Sequence, residues 1–168
     1  MKQNIHILTG NGQGKTTSAL GVALRMLGHG KKVLMIQFMK GRKDIGEYKI
    51  KKVLKNFQVK QFGKRRFVNL KKTSRNDKQL ALKGFEFIKH IRHWPDLLIL
   101  DEICLAVAIG LLEVDDVIDF LQRVPAKTEV YLTGRYASTK LLRAADFVTE
   151  VKAKKMPAKP VNRKGVTY

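Results

Sequence analysis

Residues 9–17, TGNGQGKTT, combine three glycines, a lysine and adjacent threonines in the manner of a phosphate-holding loop. An apolar run with strand character, residues 4–8, precedes the loop, and a segment with helical spacing follows it. Glycines let successive N–H groups turn toward an anion at a helix N-terminus, where Lys15 adds positive charge and the Thr16 hydroxyl meets Mg²⁺. A turn that binds no ligand is the alternative. The predicted nucleotide-binding residues are Gly10, Asn11, Gly12, Gln13, Gly14, Lys15, Thr16 and Thr17.

Two adjacent acidic residues, Asp101 and Glu102, follow the wholly apolar run 97–100. A run with no polar position predicts a strand that is buried on both faces of a parallel sheet. Ligands of such sheets collect at the carboxyl ends of the strands. Asp101 is therefore expected to bind Mg²⁺ directly or through water, with Glu102 beside it. A solvated strand end without a ligand is the alternative.

The rest of the chain alternates between strand-like and helical patterns, which predicts an α/β fold: a mostly parallel β-sheet with helices on both faces. Ser74 and Asp77 have the spacing of a capping box at a helix start. Strands are expected at residues 4–8, 32–38, 57–62 and 97–100, in a segment that ends at Thr133, and at 147–151. Helices are expected after the glycine-rich loop, at residues 46–56, from residue 74, at 114–124 and from about Ser138.

The chain has 168 residues, of which 44% are hydrophobic, and this predicts a single domain, residues 1–168. A basic tail is expected from about residue 152. The one cysteine, Cys104, excludes an internal disulfide and suits a reducing cytoplasm, where we expect the protein. Met1 lies close to the first strand, so no signal peptide is expected, and no apolar run approaches the roughly 20 residues of a membrane span.

The net charge of +20 is concentrated in two parts of the chain. Residues 49–92 carry a net charge of +13 and residues 152–164 a net charge of +6, whereas residues 93–151 carry −5. Charge of one sign at this density attracts anions, which here are ATP, nucleic acid or an acidic protein. A solvated basic surface with no partner is the alternative.

Six segments occur in an order and at spacings similar to those of a known enzyme family: TGNGQGKTT, LGHGKKVLMIQFMKGRKDIGE, FGKRRFVNLKK, LLILDEI, VYLTGR and ADFVTEV. Through them the chain resembles the ATP:corrinoid adenosyltransferases of the cobalamin pathway over nearly its whole length. The resemblance implies a RecA-like P-loop fold. It also implies transfer of the 5′-deoxyadenosyl group of ATP to the Co(I) of a reduced corrinoid, with release of triphosphate. Mg²⁺ or Mn²⁺ is the implied metal.

The resemblance offers a reason for Thr9, which stands where the usual pattern G-x-x-x-x-G-K-[ST] has glycine. An ordinary kinase or ATPase loop serves attack at the γ-phosphorus. The family binds ATP in the reverse direction, so its loop holds the whole triphosphate as a leaving group. We expect the altered first position to fit that task.

The resemblance implies catalytic roles for Lys15, Arg135 and Glu102, with Arg135 as a clamp on the triphosphate. Glu47 belongs to the family's GE pattern, and Phe67 aligns with a position that removes the corrinoid's lower axial ligand, so both are expected to contact the substrates. Each has another interpretation: Arg135 as a surface residue, Glu47 as a helix N-terminal acid and Phe67 as a core residue. The expected metal ligands are Thr16, Asp101 and Glu102.

Partners follow from the same resemblance and from the charge. An acidic flavoprotein that reduces the corrinoid is expected to dock at Lys64, Arg65 and Arg66, which flank Phe67. A homodimer is expected, and neither a membrane nor a nucleic acid is expected as a partner. The C-terminal segment MPAKPVNRKGVTY departs from the family's usual ending, so its covering of the corrinoid is expected to differ.

Two other functions fit parts of the sequence. A nucleic-acid-stimulated RecA-like ATPase would use Phe57, Phe62 and Phe67, which lie among lysines, to stack on bases. A small-molecule kinase would use the phosphate loop alone. The product separates the three: triphosphate marks the transferase, whereas ADP marks a kinase or an ATPase.

Overall fold

The computed structural model describes residues 4–66, 68–70, 72–159 and 161–167. The strands in these residues are β1 (Ile5–Thr9), β2 (Val33–Phe38), β3 (Phe57–Phe62), β4 (Leu97–Asp101), β5 (Glu129–Thr133) and β6 (Phe147–Glu150). The helices are α1 (Lys15–Gly28), α2 (Gly46–Ile50), α3 (Arg75–Lys89), α4 (Ile103–Ala108), α5 (Val114–Arg123) and α6 (Thr139–Ala144). None of these helices has the length and apolar character needed to cross a lipid bilayer.

All strand pairings in the sheet are parallel, in the order β3-β2-β4-β5-β1-β6, which confirms the predicted α/β class. Helix α1 packs on one face of the sheet, and α3, α4, α5 and α6 pack on the other. β2 (VLMIQF) and β4 (LLILD) are buried along their whole length because both of their faces are covered. Burial of such apolar strands is the main favourable contribution to folding.

Two helices differ from the sequence-based expectation. The helix expected at residues 46–56 ends at Ile50, and none of the residues of α2 is buried. A short helix without a buried face gains too little packing to extend. Helix α4, which the sequence pattern does not indicate, forms directly after β4 from the run ICLAVA. That run is apolar on every side and therefore has no 3.6-residue period to detect.

The loops that follow β2 and β3 cross in direct backbone contact. A Cβ atom on Gly63 would lie 2.2 Å from the carbonyl carbon of Met39, and one on Gly41 would lie 2.3 Å from the carbonyl oxygen of Gly63. Met39 itself adopts a left-handed conformation, with φ 57°. Because Gly41 and Gly63 have no side chains, residues 39–42 and 63–66 can lie together at the carboxyl edge of the sheet.

We predict that Gly63→Ala lowers the free energy of unfolding by about 1 to 3 kcal/mol, because the added methyl group meets rigid backbone. Gly21→Ala is the matched control. Gly21 lies in α1 with no atom within 4 Å of the added Cβ position, and alanine there should stabilise the protein by up to about 1 kcal/mol. Denaturant unfolding measures both variants. Equal effects of the two substitutions would contradict the proposed close approach.

Candidate nucleotide and metal site

The predicted phosphate loop lies between β1 and α1, and α1 begins at Lys15. Gly10 and Gly14 have φ angles of 99° and 108°, which is the left-handed region that glycine enters without strain. The Lys15 ammonium donates hydrogen bonds to the carbonyl oxygens of Gly10 at 2.9 Å and Gly12 at 2.6 Å. Lys15 is therefore held over the loop. Burial lowers its pKa, Glu102 opposes that shift, and the charge of Arg135 adds to it.

The chain that follows β6 packs directly on this loop. The N–H of Gly12 donates to the carbonyl of Val151 at 2.8 Å, and the N–H of Val151 donates to the carbonyl of Thr9 at 2.8 Å. A Cβ on Gly10 or Gly12 would lie 2.4 Å or 2.8 Å from the Val151 oxygen. These two glycines thus admit a protein segment as well as a ligand, and in this conformation the Gly12 N–H is already paired.

Thr9 does not take part in the turn. It is the last residue of β1, where it pairs in register with Glu150 of β6, and its hydroxyl accepts a hydrogen bond from Ala137 N at 3.4 Å. The chain first turns at Gly10. Because position 9 has strand geometry, it needs no glycine, and this gives a local structural reason for the departure from the usual pattern.

The buried carboxylate of Asp101 connects the strands and loops that form the site. Its Oδ1 accepts hydrogen bonds from Thr16 and Thr133, both at 2.8 Å, and its Oδ2 accepts from Lys40 at 2.6 Å and Gln37 at 3.1 Å. Burial by itself raises the pKa of Asp101. The Lys40 ammonium and the two hydroxyls outweigh burial and hold that pKa below its ordinary value, so the carboxylate is ionised.

Glu102, the next residue, is held in an unusual backbone conformation. Its φ is 65°, it is the N-cap of α4, and its N–H donates to Thr133 Oγ1 at 3.0 Å. Strain of this kind in a residue other than glycine is typical of functional sites. Its buried Oε2 has no hydrogen-bond partner in the part of the chain that the structure describes. Burial and then the neighbouring Asp101 charge raise the pKa of Glu102.

The expected metal ligands, Thr16, Asp101 and Glu102, supply only oxygen atoms, which suit Mg²⁺. The unpartnered Oε2 of Glu102 is a free oxygen at this place. The Lys40 ammonium already contacts Asp101 Oδ2 and lies 3.4 Å from Thr16 Oγ1, so these oxygens accept a cation. Residues 4–66, 68–70, 72–159 and 161–167 contain no cluster of three or more His, Cys, Asp or Glu side chains for a metal. The residues present therefore fit an ion that shares its coordination with phosphate oxygens and water.

Three residues that contact Asp101 are not among the predicted site residues: Gln37, Lys40 and Thr133. Gln37 donates from one amide nitrogen to both Asp101 and Glu47, each at 3.1 Å, so that Glu47 is connected to the centre of the site. Gln61 in turn donates to the Gln37 oxygen at 3.0 Å. A polar residue in the otherwise apolar strand β2 is the signal that could have identified Gln37, because buried amides need partners.

The other predicted residues lie around this centre. Arg135 is exposed and follows Gly134, at which a Cβ would lie 2.8 Å from the backbone nitrogen of Leu105. Asn11 is exposed and accepts from Ala153 N at 3.2 Å. Gln13 and Thr17 are also exposed on the loop and the first turn of α1. Phe67 lies outside the residues that the structure describes.

A cavity of about 260 Å³ adjoins Lys40 and Glu102 on the side of the crossed loops. Met39 and Ile45 give it apolar walls, and Thr167 near the C-terminus also lines it. The remaining charged side chains at the cavity are Arg42, Glu47, Lys64, Arg65 and Arg66.

Lys64 also has a structural role, which the sequence does not predict. Its ammonium contacts Asp77 Oδ1 and Ser74 Oγ at 2.9 Å and 2.8 Å, at the N-terminus of α3. Ser74 and Asp77 form the expected capping box, with reciprocal backbone hydrogen bonds of 2.9 and 3.2 Å. Lys64 thereby fixes the loop after β3 to the start of α3.

We predict that Asp77→Asn destabilises the protein in a pH-dependent way. Burial raises the pKa of Asp77, but hydrogen bonds from Ser74 and Lys64 outweigh burial and lower that pKa below its ordinary value of 3.8. The unfolded chain therefore takes up the proton first as pH falls. The stability gap between wild type and variant should be complete above about pH 4 and shrink as pH drops through the folded pKa. A gap that stays constant from pH 7 to pH 2 in unfolding titrations would contradict this.

The fold is that of a RecA-like P-loop protein, and its candidate nucleotide site lies at the carboxyl edge of the sheet. The chain belongs to the ATP:corrinoid adenosyltransferase family BtuR/CobO/CobP, whose family model matches residues 1–168. It is 35% identical over 146 residues to a corrinoid adenosyltransferase of Pseudomonas aeruginosa, covering 85% of this chain and 71% of that protein. It is 34% identical over 151 residues to the corrinoid adenosyltransferase of Escherichia coli K12, covering 88% and 76%.

A relative in Salmonella typhimurium, the corrinoid adenosyltransferase CobA, is likewise 34% identical over 151 residues, covering 88% of this chain and 76% of that protein. Among solved structures, the flagellar accessory protein FlaH from Methanocaldococcus jannaschii is similar in fold, with a TM-score of 0.59 and 15% identity. That likeness covers 89% of this chain and 71% of FlaH. It concerns the fold alone.

We predict that Asp101→Asn lowers the free energy of unfolding by about 2 to 4 kcal/mol, because it leaves the Lys40 ammonium without its counter-charge. This expected loss is smaller than that for a fully buried ion pair because 28% of the Lys40 side chain is exposed. Asp115→Asn is the control. Asp115 pairs with Lys140 on the surface, and its loss should cost less than about 1 kcal/mol. Similar losses of unfolding free energy in both variants would show that the contacts of Asp101 do not stabilise the fold more than a surface ion pair does.

Proposed function

We propose that this protein transfers the 5′-deoxyadenosyl group of ATP to the Co(I) of a reduced corrinoid and releases triphosphate, in adenosylcobalamin biosynthesis or salvage. One observation carries the proposal. In a chain of this family, the carboxylate of Asp101 joins the phosphate loop, through Thr16, to the strand ends that carry Gln37 and Thr133. An assembly of this kind holds a triphosphate and a cation rather than activating a nucleophile.

The chemistry follows from the substrates. The filled orbital of Co(I) attacks C5′ of the ribose, a cobalt–carbon bond forms, and the bond from C5′ to the triphosphate oxygen breaks. The electron pair of that bond leaves with the triphosphate, so no proton has to move and no general base is needed. The protein's task is to align the two substrates and to stabilise charge on the leaving group.

The environment of Cys104 supports a mechanism without a protein nucleophile. The thiol is buried, and burial followed by the charge of Glu102 raises its pKa to about 12. A thiolate is the reactive form of cysteine, and at neutral pH this side chain stays protonated. Cys104 therefore belongs to the core of α4 and takes no part in the reaction.

Lys15 and the backbone N–H groups of the loop other than that of Gly12 would hold the triphosphate, with the Arg135 guanidinium as a clamp on its exposed side. Thr16, Asp101 and Glu102 would hold Mg²⁺ or Mn²⁺, and the ion would offset part of the negative charge that grows on the leaving group. Glu47, connected to Asp101 through Gln37, would set the position of the metal ligands. The contact of Phe67 with the corrinoid remains part of the proposal.

The location of the protein, its reductant and its oligomeric state are also part of the proposal. A reducing cytoplasm suits a chain with one buried cysteine, and an acidic flavoprotein would suit the positive charge of Arg65 and Arg66 at the cavity rim. A homodimer remains an expectation. The nucleic-acid-stimulated ATPase and the kinase receive no support from the related proteins, which carry the name of corrinoid adenosyltransferase.

We predict that the protein, incubated with ATP, Mg²⁺ and a corrinoid chemically reduced to Co(I), produces triphosphate and an adenosylated corrinoid. Phosphate products are identified by ion-exchange chromatography, and the cobalt–carbon bond by its light-sensitive absorption spectrum. ADP with inorganic phosphate, increased by single-stranded DNA, would instead establish the ATPase. ADP with a phosphorylated small molecule would establish the kinase.

We predict that Lys15→Ala lowers kcat/KM by about 100-fold or more, because it removes a full charge from the triphosphate site. Lys127→Ala is the matched control, since Lys127 is an exposed lysine before β5, at the opposite edge of the sheet. Its activity should match that of the wild type. Near-normal turnover by the Lys15 variant would refute the assignment of the loop.

A further inference from the structure

The cavity beside the metal site carries more positive than negative charge. Segments 39–42 and 64–66 supply five cationic side chains to its wall, whereas Glu47 and Glu102 supply the two carboxylates. Lys15, which lies over the phosphate loop, does not line this cavity. The cavity is therefore a second compartment, next to the expected triphosphate position.

Most of the positive charges at the cavity are already paired. Lys40 contacts Asp101 at 2.6 Å, Arg42 binds both carboxylate oxygens of Asp44, the shorter contact being 2.7 Å, and Lys64 contacts Asp77 at 2.9 Å. These three cations are neutralised by partners within the fold, which leaves two cationic side chains at the cavity beside the carboxylates of Glu47 and Glu102.

Arg65 and Arg66 are these two cationic side chains. Both side chains are exposed at the cavity rim, and neither forms an ion pair or hydrogen bond with any residue in the described ranges 4–66, 68–70, 72–159 and 161–167. The hydrogen bond from Arg42 lowers the pKa of Asp44, and the charge of Arg65 adds to that shift. Their position is nevertheless defined. Gly63 is locked against Met39 before them, and Lys64 is tied to the N-terminus of α3. Two adjacent guanidinium groups are thus presented at the mouth of the compartment.

The chemistry of a guanidinium selects its ligand. Its planar set of N–H donors matches a carboxylate in a bidentate manner and keeps its charge at any physiological pH. A carboxamide is neutral and turns N–H donors as well as an oxygen toward the arginine, so it forms a weaker contact. The periphery of a corrinoid carries acetate and propionate arms, which are either ionised carboxylates or amides.

We propose that Arg65 and Arg66 bind ionised carboxylate arms of the corrinoid, so that this enzyme favours corrinoids with free carboxylates over their fully amidated counterparts. The inference rests on the proposed function. A corrinoid arm can enter a cavity of about 260 Å³, whereas a folded protein cannot. The wall of this cavity therefore suits a substrate arm, and the acidic flavoprotein proposed above would contact these arginines only at the exposed rim.

The test compares two corrinoids, a polycarboxylic acid form and its fully amidated derivative, both chemically reduced to Co(I) so that no flavoprotein is present. The variant is Arg65→Gln/Arg66→Gln. Its matched control is Arg92→Gln/Arg123→Gln, which removes the same charge from exposed positions outside the site. The measured quantities are kcat and KM for each corrinoid, KM for ATP and the phosphate product, with circular dichroism to verify folding.

We expect the wild type to prefer the carboxylate form by about tenfold or more in kcat/KM, which corresponds to one or two charge-assisted hydrogen bonds at a partly solvated site. The Arg65/Arg66 variant should lose this preference through a higher KM for the carboxylate form. Its kcat/KM for the amidated form and its KM for ATP should stay within about twofold of wild type, as should all values of the control.

Three results would overturn the inference. They are equal kcat/KM of the wild type for both corrinoids, an equal loss with both corrinoids in the variant, and a raised KM for ATP as the main effect. In each of these cases triphosphate still forms and the proposed function stands. If the wild type forms triphosphate with neither corrinoid, the proposed function itself fails, and the two failures are thereby distinguished.

Discussion

The structure depends on one buried negative charge, the carboxylate of Asp101. Its partners come from the first turn of α1, from β2 and the loop after it, and from β5, and together they use both carboxylate oxygens. Removing a carboxylate from water is costly, and only nearly complete pairing offsets that cost. Such a pair adds little net stability, but it fixes the relative positions of the elements that meet there. The phosphate loop is thereby held in register with the sheet.

Close backbone contacts complete what this carboxylate begins. Gly41 and Gly63 let two loops cross at one wall of the site, while Gly10 and Gly12 let the segment at Val151 lie against the phosphate loop. The site is therefore enclosed by chain segments that could not approach if they carried side chains. Glu102 combines a left-handed backbone with a buried carboxylate oxygen that has no hydrogen-bond partner among the described residues, a combination that is typical of functional sites. A reaction that only has to place two substrates and receive a leaving group makes few other demands on the protein.

The basic segment, residues 49–92, has several tasks rather than one. Lys64 caps α3 with Asp77, and Lys51 lies over the ring of Tyr48 at 3.5 Å from its centroid, so both act within the fold. Arg65 and Arg66, in contrast, form no ion pair within the described residues and lie exposed at the rim of the cavity. A net charge in the sequence thus overstates the charge that is available to partners, because part of it neutralises acids of the same molecule.

Local sequence patterns by themselves determined the alternating elements, the phosphate loop, the capping box and the acidic end of β4. Each of these features depends on only a few consecutive residues, through hydrophobic periodicity, turn residues or capping. The tertiary structure alone decided that α2 ends at Ile50, that α4 forms, and that Gln37, Lys40 and Thr133 converge on Asp101. These residues are 32 to 64 positions from Asp101 in the chain. Their meeting is set by strand order and by the need to pair a buried charge, and neither is visible in a short stretch of sequence.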